Sequence, residues 1–480
     1  VNTTIRRSAL MMGVLILALI INANVLAVIQ DDQLRARDGN RRQLIDEYAQ
    51  QRGSILVGRR AIAKSVPTDG RLKFVRTYTD GPLYAPITGY YSLYGATGVE
   101  KSENDLLSGT DDRLFVDRLT NLFTGQQPKG GNVLLTLDAD AQRAAFEGLD
   151  GQQGAVVALD PETGAILALA SSPTFNPNLL ASPDAAVVTD EYDELRKRPG
   201  SPLLNRATQQ VYPPGSLFKV VVSAAALESG DYEPTTSVPG PASLDLPDTT
   251  ANINNYDNAP CFGGRVTLEQ ALALSCNTAF ARIGMDLGDD ALREQARAFG
   301  FNRAFEIPMP VVPSIYPDEL DVPQTALSAI GQYDVRSTVM QMAMVGAGVA
   351  NDGVVMKPYV VGEEQAPDLS TLSVTEPEPL SRAVSPAVAQ QLNDMMVGVV
   401  ANGTGGNAAI PGFTVAGKTG TAQDGTERHP HVWFMSFAPA EDPQVAVAVI
   451  VENGGRLGND ATGGEVAAPI AREVMEAVLQ

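Results

Sequence analysis

Ser216 and Lys219 stand three residues apart in VYPPGSLFKVVVSAAALESG, residues 211–230. Proline and glycine halt the chain just before the serine, and Lys219 is the one charge in the apolar run that follows. On a helix this spacing puts both side chains on one face, one turn apart. A serine in the first turn lies at the positive end of the helix dipole, beside backbone N–H groups free to receive an anion. A lysine in apolar surroundings loses its proton readily. A neutral amine beside a hydroxyl is what activation of a nucleophile requires. The pair alone is a weak signal: eight Lys and 24 Ser give roughly 0.4 chance S-x-x-K matches. The bland alternatives are a helix N-cap for Ser216 and a snorkelling surface lysine for Lys219.

Two further triplets add weight. Ser275-Cys276-Asn277 falls between helical patches, although roughly one S-x-N is expected by chance; Ser102-Glu103-Asn104, upstream, reads as such a decoy. Lys418-Thr419-Gly420-Thr421 falls on a strand pattern. Because lysine is scarce, only roughly 0.05 K-T-G matches are expected by chance. Two of eight lysines in two ordered motifs are hard to assign to packing.

The elements that must position these residues can be read from the rest of the chain. Its 480 residues suggest two or three domains with a real core. A net charge of −21 argues against wrapping nucleic acid, and a hydrophobic share of 44% excludes a disordered or polytopic membrane chain. Residues 9–29, ALMMGVLILALIINANVLAVI, are about long enough for one transmembrane anchor. Arg6 and Arg7 before it and Asp31 and Asp32 after it put residues 1–8 in the cytoplasm and the bulk outside. A cleaved signal peptide is the alternative; the length of the stretch and the lack of a clear A-x-A site favour an anchor, and both readings export the chain. The only two cysteines, Cys261 and Cys276, could pair and close a loop of about 15 residues, worth about 3 kcal/mol. Alternatively, Cys276 is simply a small buried residue. His429 and His431 read as an exposed or partly packed loop pair, and so few ligands make a metal site unexpected.

Residues 30–52 are polar and read as a helix leaving the membrane. From Arg52 to about Gly131 the runs GSILV, KFVRTY and APITGYYSLYG alternate with turns, predicting a small, mostly-β N-terminal module bounded at 30–135. A second domain, 136–480, opens with a strand and helix and then GAVVALDPETGAILALASSP, a hairpin turning at Pro161–Gly164 with the pattern of a half-covered strand pair. Helices are expected at 216–229, 267–286, 335–351 and 466–479, long loops at 237–265 and 358–386, and strands in FTVAGKTGTAQ, VWFMSFAPA and PQVAVAVIVEN. Strands at both ends with helices between predict an α+β fold: one antiparallel sheet assembled from both ends of the domain and covered by helices.

The order S-x-x-K, S-x-N, K-T-G resembles the signature of penicillin-binding proteins and serine β-lactamases. RATQQVYPPGSLFK, TLEQALALSCNTAF, the IGQ of 330–332, VAGKTGTAQ and the WF…SFAPA run extend the likeness to a penicillin-binding transpeptidase domain. RGSIL and TGYYS…GATGVEKSENDLLSG resemble the N-terminal module of class B, monofunctional members; that module is too small to hold a glycosyltransferase. The resemblance implies that Ser216 attacks the penultimate D-Ala carbonyl of a peptidoglycan stem peptide, with Lys219 as base. Ser275 would relay protons, and Lys418 would keep the local field positive. Asn277 would hold the substrate amide and Lys219, Thr419, Gly420 and Thr421 would form the substrate-binding strand with the two hydroxyls on the terminal carboxylate, and the backbone N–H groups of Ser216 and Thr421 would form the oxyanion hole. Stem peptides, β-lactams, the membrane and a polytopic glycosyltransferase are the implied partners; no cofactor is implied. Cys276 departs from the aspartate or other polar residue often seen at that position, and a Cys261–Cys276 disulfide would tie the 237–265 loop to the site. A D,D-carboxypeptidase, a serine β-lactamase and a non-catalytic penicillin-binding sensor or scaffold remain alternatives on the same motifs.

Overall fold

The computed structural model describes residues 2–25, 48–70, 72–125, 127, 129–423 and 429–480. Helix α1 (Asn2–Asn24) includes a 20-residue stretch, Thr3–Asn22, long and apolar enough to cross a membrane. The end of the expected span at 26–29, and residues 30–47 of the polar helix expected after it, lie outside the described residues.

Strands β1 (Ile55–Val57), β2 (Arg60–Pro67) and β3 (Phe74–Tyr78) form an antiparallel ladder, and β4 (Asn132–Leu135) joins β1 in parallel. Between them lie short helices and α2 (Phe115–Thr124). At the centre of this module Glu100 is fully buried and takes Arg52 Nε at 2.7 Å and Arg76 Nε at 2.5 Å. Arg52 also donates to Asn104 Oδ1 at 2.8 Å and lies 4.2 Å over the Tyr91 ring. Burial pushes the Glu100 carboxyl up, but Arg76 and Arg52 outweigh it and hold it below the usual carboxylate range. The upstream S-x-N thus has a structural job, since Asn104 completes this cluster.

Helix α3 (Ala139–Leu149), with Asp138 as N-cap, leads into the hairpin β5 (Gly154–Leu159) and β6 (Ile166–Ser172). Asp160 Oδ1 accepts from the backbone N–H groups of Glu162 and Thr163, and Gly164 at φ 80° completes the turn. Helix α4 (Lys219–Ser229) ends at Gly230, which takes the left-handed conformation. Helices α5 (Leu268–Ala273), α6 (Asn277–Leu287), α7 (Val339–Ala350) and α8 (Pro386–Asn402) follow. Strands β9 (Ala416–Ala422), β10 (His431–Ala438) and β11 (Val445–Val451) and helix α9 (Ala468–Leu479) finish the chain.

The catalytic-domain sheet runs β9-β10-β11-β5-β6 and is antiparallel throughout, assembled from both ends of the domain. Period-two alternation splits its side chains between two cores. Val156, Ala158, Val447 and Val449 pack with α3 and α9, whereas Ala155, Val157, Ala446, Ala448 and Ile450 pack on the side of α4 and α7. The hairpin is therefore covered on both faces, not half-covered, which is why every residue of β5 is buried.

Two other expectations are corrected. The 358–386 stretch is not a loop: Val361–Gln365 (β12) and Thr371–Val374 (β13) extend the N-terminal sheet to the order β13-β12-β4-β1-β2-β3. These strands are short and polar, so their pairing is set by the partner edge and not by an internal apolar pattern. The 237–265 stretch likewise holds short paired strands, Ser237–Pro239 with Arg265–Thr267 and Ser243–Asp245 with Asn252–Asn254.

Candidate active site

The turn carrying Ser216 is fixed from three sides. Gly215, at φ 55°, donates its N–H to Gly331 O at 3.0 Å. A side-chain carbon at Gly215 would lie 2.8 Å from Thr421 O, so only glycine lets this turn approach β9 so closely. Trp433 Nε1 donates to Pro213 O at 3.1 Å, and Tyr212 packs edge-on against Trp433 and donates to Glu452, which also holds Arg206. Ser216 then lies in a 3₁₀ turn, Gly215–Phe218, with Lys219 opening α4 directly after it.

Lys219 is fully buried. Its Nζ lies 2.7 Å from Ser275 O, 2.7 Å from Asn277 Oδ1 and 3.3 Å from Ser275 Oγ, and 5.6 Å from the Phe280 ring centre. Burial, and then the charge of Lys418, push the Lys219 amine well below its ordinary value.

The single helix expected over 267–286 is broken at Ser275, which takes φ 59° between α5 and α6. This left-handed residue costs energy in a non-glycine. Its effect is to turn both the carbonyl and the hydroxyl of Ser275 toward Lys219. Asn277 opens α6 and donates its amide to Asn254 O at 2.9 Å, which aims the amide oxygen at Lys219. Cys276, buried between them, forms a disulfide with Cys261.

From the other side, Lys418 on β9 reaches Ser275 Oγ at 3.0 Å and Thr419 O at 2.9 Å. It too is fully buried, and burial pushes its amine down to about 7. Gly420 faces Leu217 and Pro214 O, where a side-chain carbon would sit at 3.1–3.2 Å. Thr421 is half-buried beside Gly215. The structure therefore gathers the three separated motifs into one cluster, in which Ser275 Oγ bridges two buried amines whose hydrogen-bond partners among the described residues are carbonyl, amide and hydroxyl oxygens.

Sequence reasoning missed the support behind β9. Thr404 Oγ1 meets Thr419 Oγ1 at 2.5 Å. Gly463 and Gly464 press so closely on Gly420 O and Thr404 O that side-chain carbons there would fall within 2.7 and 2.3 Å of them. The glycine runs GTGG (403–406) and TGG (462–464) were the available signal. His431 is no loop residue: it is buried at the start of β10, edge-on to Tyr212, with Nδ1 accepting from Asn453 N. Only His429 is exposed.

A buried two-amine site beside a turn-borne serine, on a five-stranded sheet between helical layers, defines a serine acyl-transfer class. The chain belongs to the penicillin-binding protein transpeptidase family, whose domain model matches residues 154–476. A second model, described as a penicillin-binding protein A dimerisation domain, matches residues 52–133. The chain is 47% identical to the peptidoglycan D,D-transpeptidase PbpA of Mycolicibacterium smegmatis, covering 100% of this chain and 99% of that one. It is 46% identical to PbpA of Mycobacterium tuberculosis with the same coverage. The solved ceftriaxone acyl-enzyme of M. tuberculosis penicillin-binding protein A superposes with a TM-score of 0.88 at 45% identity, over 91% of this chain and all of that one. The penicillin G acyl-enzyme of the same protein gives 0.86, again at 45% identity and with coverage of 90% and 100%.

Proposed function

We infer that this chain is a peptidoglycan D,D-transpeptidase acylated by β-lactams, and that Ser216 is its nucleophile. The observation that carries the assignment of roles is the pair of buried amines meeting at Ser275 Oγ, with no counterion among the described residues. A neutral Lys219 has two N–H groups and one lone pair. The two 2.7 Å acceptors take the N–H groups, and the third contact, to Ser275 Oγ, is longer at 3.3 Å, so the lone pair is not tied to a short partner. Ser275 Oγ in turn accepts from Lys418. When substrate binds, Lys219 turns its lone pair to Ser216 Oγ and takes its proton as Oγ bonds to the penultimate D-Ala carbonyl carbon. The tetrahedral oxyanion is held by the backbone N–H groups of Ser216 and Thr421. The C–N bond then breaks, the departing D-Ala nitrogen receives a proton through Ser275, and an amine from a second stem peptide attacks the ester to form the cross-link. Asn277 holds the substrate amide, while Thr419 and Thr421 on β9 receive the terminal carboxylate, with Gly420 keeping the strand open beside Leu217. A β-lactam follows the same first step, except that its nitrogen stays tethered after ring opening.

The Thr3–Asn22 helix is a single-pass anchor in this reading, with the body outside the cytoplasmic membrane and a polytopic glycosyltransferase as the wall-synthesis partner. The full chain should be incubated with fluorescent penicillin, alongside Ser216→Ala. Stable covalent label on the native chain and none on the variant is the expected result. Rapid hydrolysis of the probe would make the chain a β-lactamase, and no label on the native chain would make it a scaffold.

A further inference from the structure

Helix α2 carries its large apolar side chains into solvent. Phe115, Leu119 and Phe123 are 59%, 43% and 82% exposed. At 100° per residue these i, i+4 and i+8 positions span an arc of about 80°; by sequence, Val116 and Leu122 fall about 20° beyond its edges, and Asp117, Arg118, Thr120, Asn121 and Thr124 fall on the rest of the wheel. Such a helix is built to lie flat on an apolar surface.

Its place in the fold says which surface. At its start, Leu114 is buried and Arg113 is held by Asp111 and by Glu364 of β12 at 2.7 and 2.6 Å, so the helix leaves a rigid base. After it, the chain returns at Lys129, which bridges to Gln51, while Gly130 N donates to Gln51 O at 2.9 Å. Gln51 is three residues from Tyr48, where the described chain resumes after α1. Four residues separate Gly125 from Gly130, so the end of α2 lies close to the point where the chain arrives from its apolar N-terminal helix. Residues 26–47 are 22 in number and reach no further than about 75 Å.

Resting on the anchor reading above, we propose that α2 is an interfacial helix that seats the N-terminal module on the bilayer, with Phe115, Leu119 and Phe123 in the headgroup–acyl boundary. The occupant is the lipid surface that holds α1, because the face is apolar, continuous, about 12 Å long from Phe115 to Phe123 by helix rise, and near the point where the described chain resumes after α1. The module would then stand on the membrane at two points, α1 and α2.

The test uses the full chain in nanodiscs of phosphatidylethanolamine and phosphatidylglycerol with brominated acyl chains. Because Cys261 and Cys276 are bonded to each other, a single environment-sensitive fluorophore can be attached after Leu119→Cys or Phe123→Cys. Leu17→Cys in α1 marks insertion and Tyr256→Cys, 77% exposed, marks water. The expected result is bromolipid quenching several-fold stronger at 119 and 123 than at 256. Quenching at 119 and 123 equal to that at 256 overturns the proposal. Shielding there without bromolipid quenching, growing with protein density, also overturns it in favour of a second copy. The signal at 17 decides the anchor separately, so the two readings fail by different results. Leu119→Glu with Phe123→Glu should cut quenching of a label at Phe115→Cys several-fold while leaving penicillin acylation unchanged.

Discussion

The protein buries cationic side chains in two places, and the two outcomes are opposite. In the N-terminal module, Arg52 and Arg76 close on Glu100 and hold its carboxyl below the usual carboxylate range. In the catalytic domain, Lys219 and Lys418 close on the hydroxyl of Ser275, and their acceptors among the described residues are neutral oxygens. All four cations are buried, and what separates the two clusters is the carboxylate at the first. With it, the cluster is a structural rivet whose guanidiniums cannot lose protons. Without it, the ammonium form is disfavoured, as the proposed role of Lys219 as base requires.

The largest expected effect breaks the second cluster. Lys219→Arg keeps a cation but removes the ability to deprotonate, so the acylation rate constant with a β-lactam should fall by about a thousandfold or more. Rapid-quench kinetics with native-like circular dichroism checks it, and near-normal acylation would identify another base. Next, Glu100→Gln breaks the first cluster by leaving two buried guanidiniums without a counterion. It should cost about 3–5 kcal/mol of stability in urea titration, with acylation per folded molecule unchanged.

A pH series sharpens the contrast. The folded Lys418 amine is pushed down to about 7, whereas in the unfolded chain it titrates near 10.4. Between those values the unfolded state binds more protons, so stability should climb with pH at about 1.4 kcal/mol per unit for this group and level off below 7. Lys219 contributes in the same direction. Lys418→Met should flatten the slope; an unchanged slope in that variant would contradict the account. The smallest effect concerns the support behind β9. Thr404→Val deprives Thr419 of its hydroxyl partner and should raise KM for a D-Ala-terminated substrate about tenfold, about 1.4 kcal/mol, with kcat little changed. Thr404→Ser should restore it.

Legibility followed chemistry more closely than geometry. Ser216, Lys219 and Lys418 stood out because lysine is rare here and charged residues in apolar runs need a reason. The sheet built from both ends was visible because β5, β10 and β11 are near-continuous apolar strands. The break at Ser275 was hidden, since 267–286 keeps helical composition through a residue that tertiary contacts hold at positive φ. The strands β12 and β13 were hidden because VGEEQ and TLSV have no core face of their own to declare. Around Thr404 the sequence offered only the glycines of GTGG, because one hydroxyl touching another leaves no period of its own.

That loan of β12 to the N-terminal sheet governs how the molecule bears load. Val361, Glu363, Glu364 and Gln365 are laddered to β4, so no single linker joins the module to the catalytic body. Bending one against the other would mean unzipping backbone bonds in sequence, an expense a thermal fluctuation does not meet. The cleft is thereby coupled to the N-terminal sheet through backbone hydrogen bonds, so a shift of one is passed directly to the other.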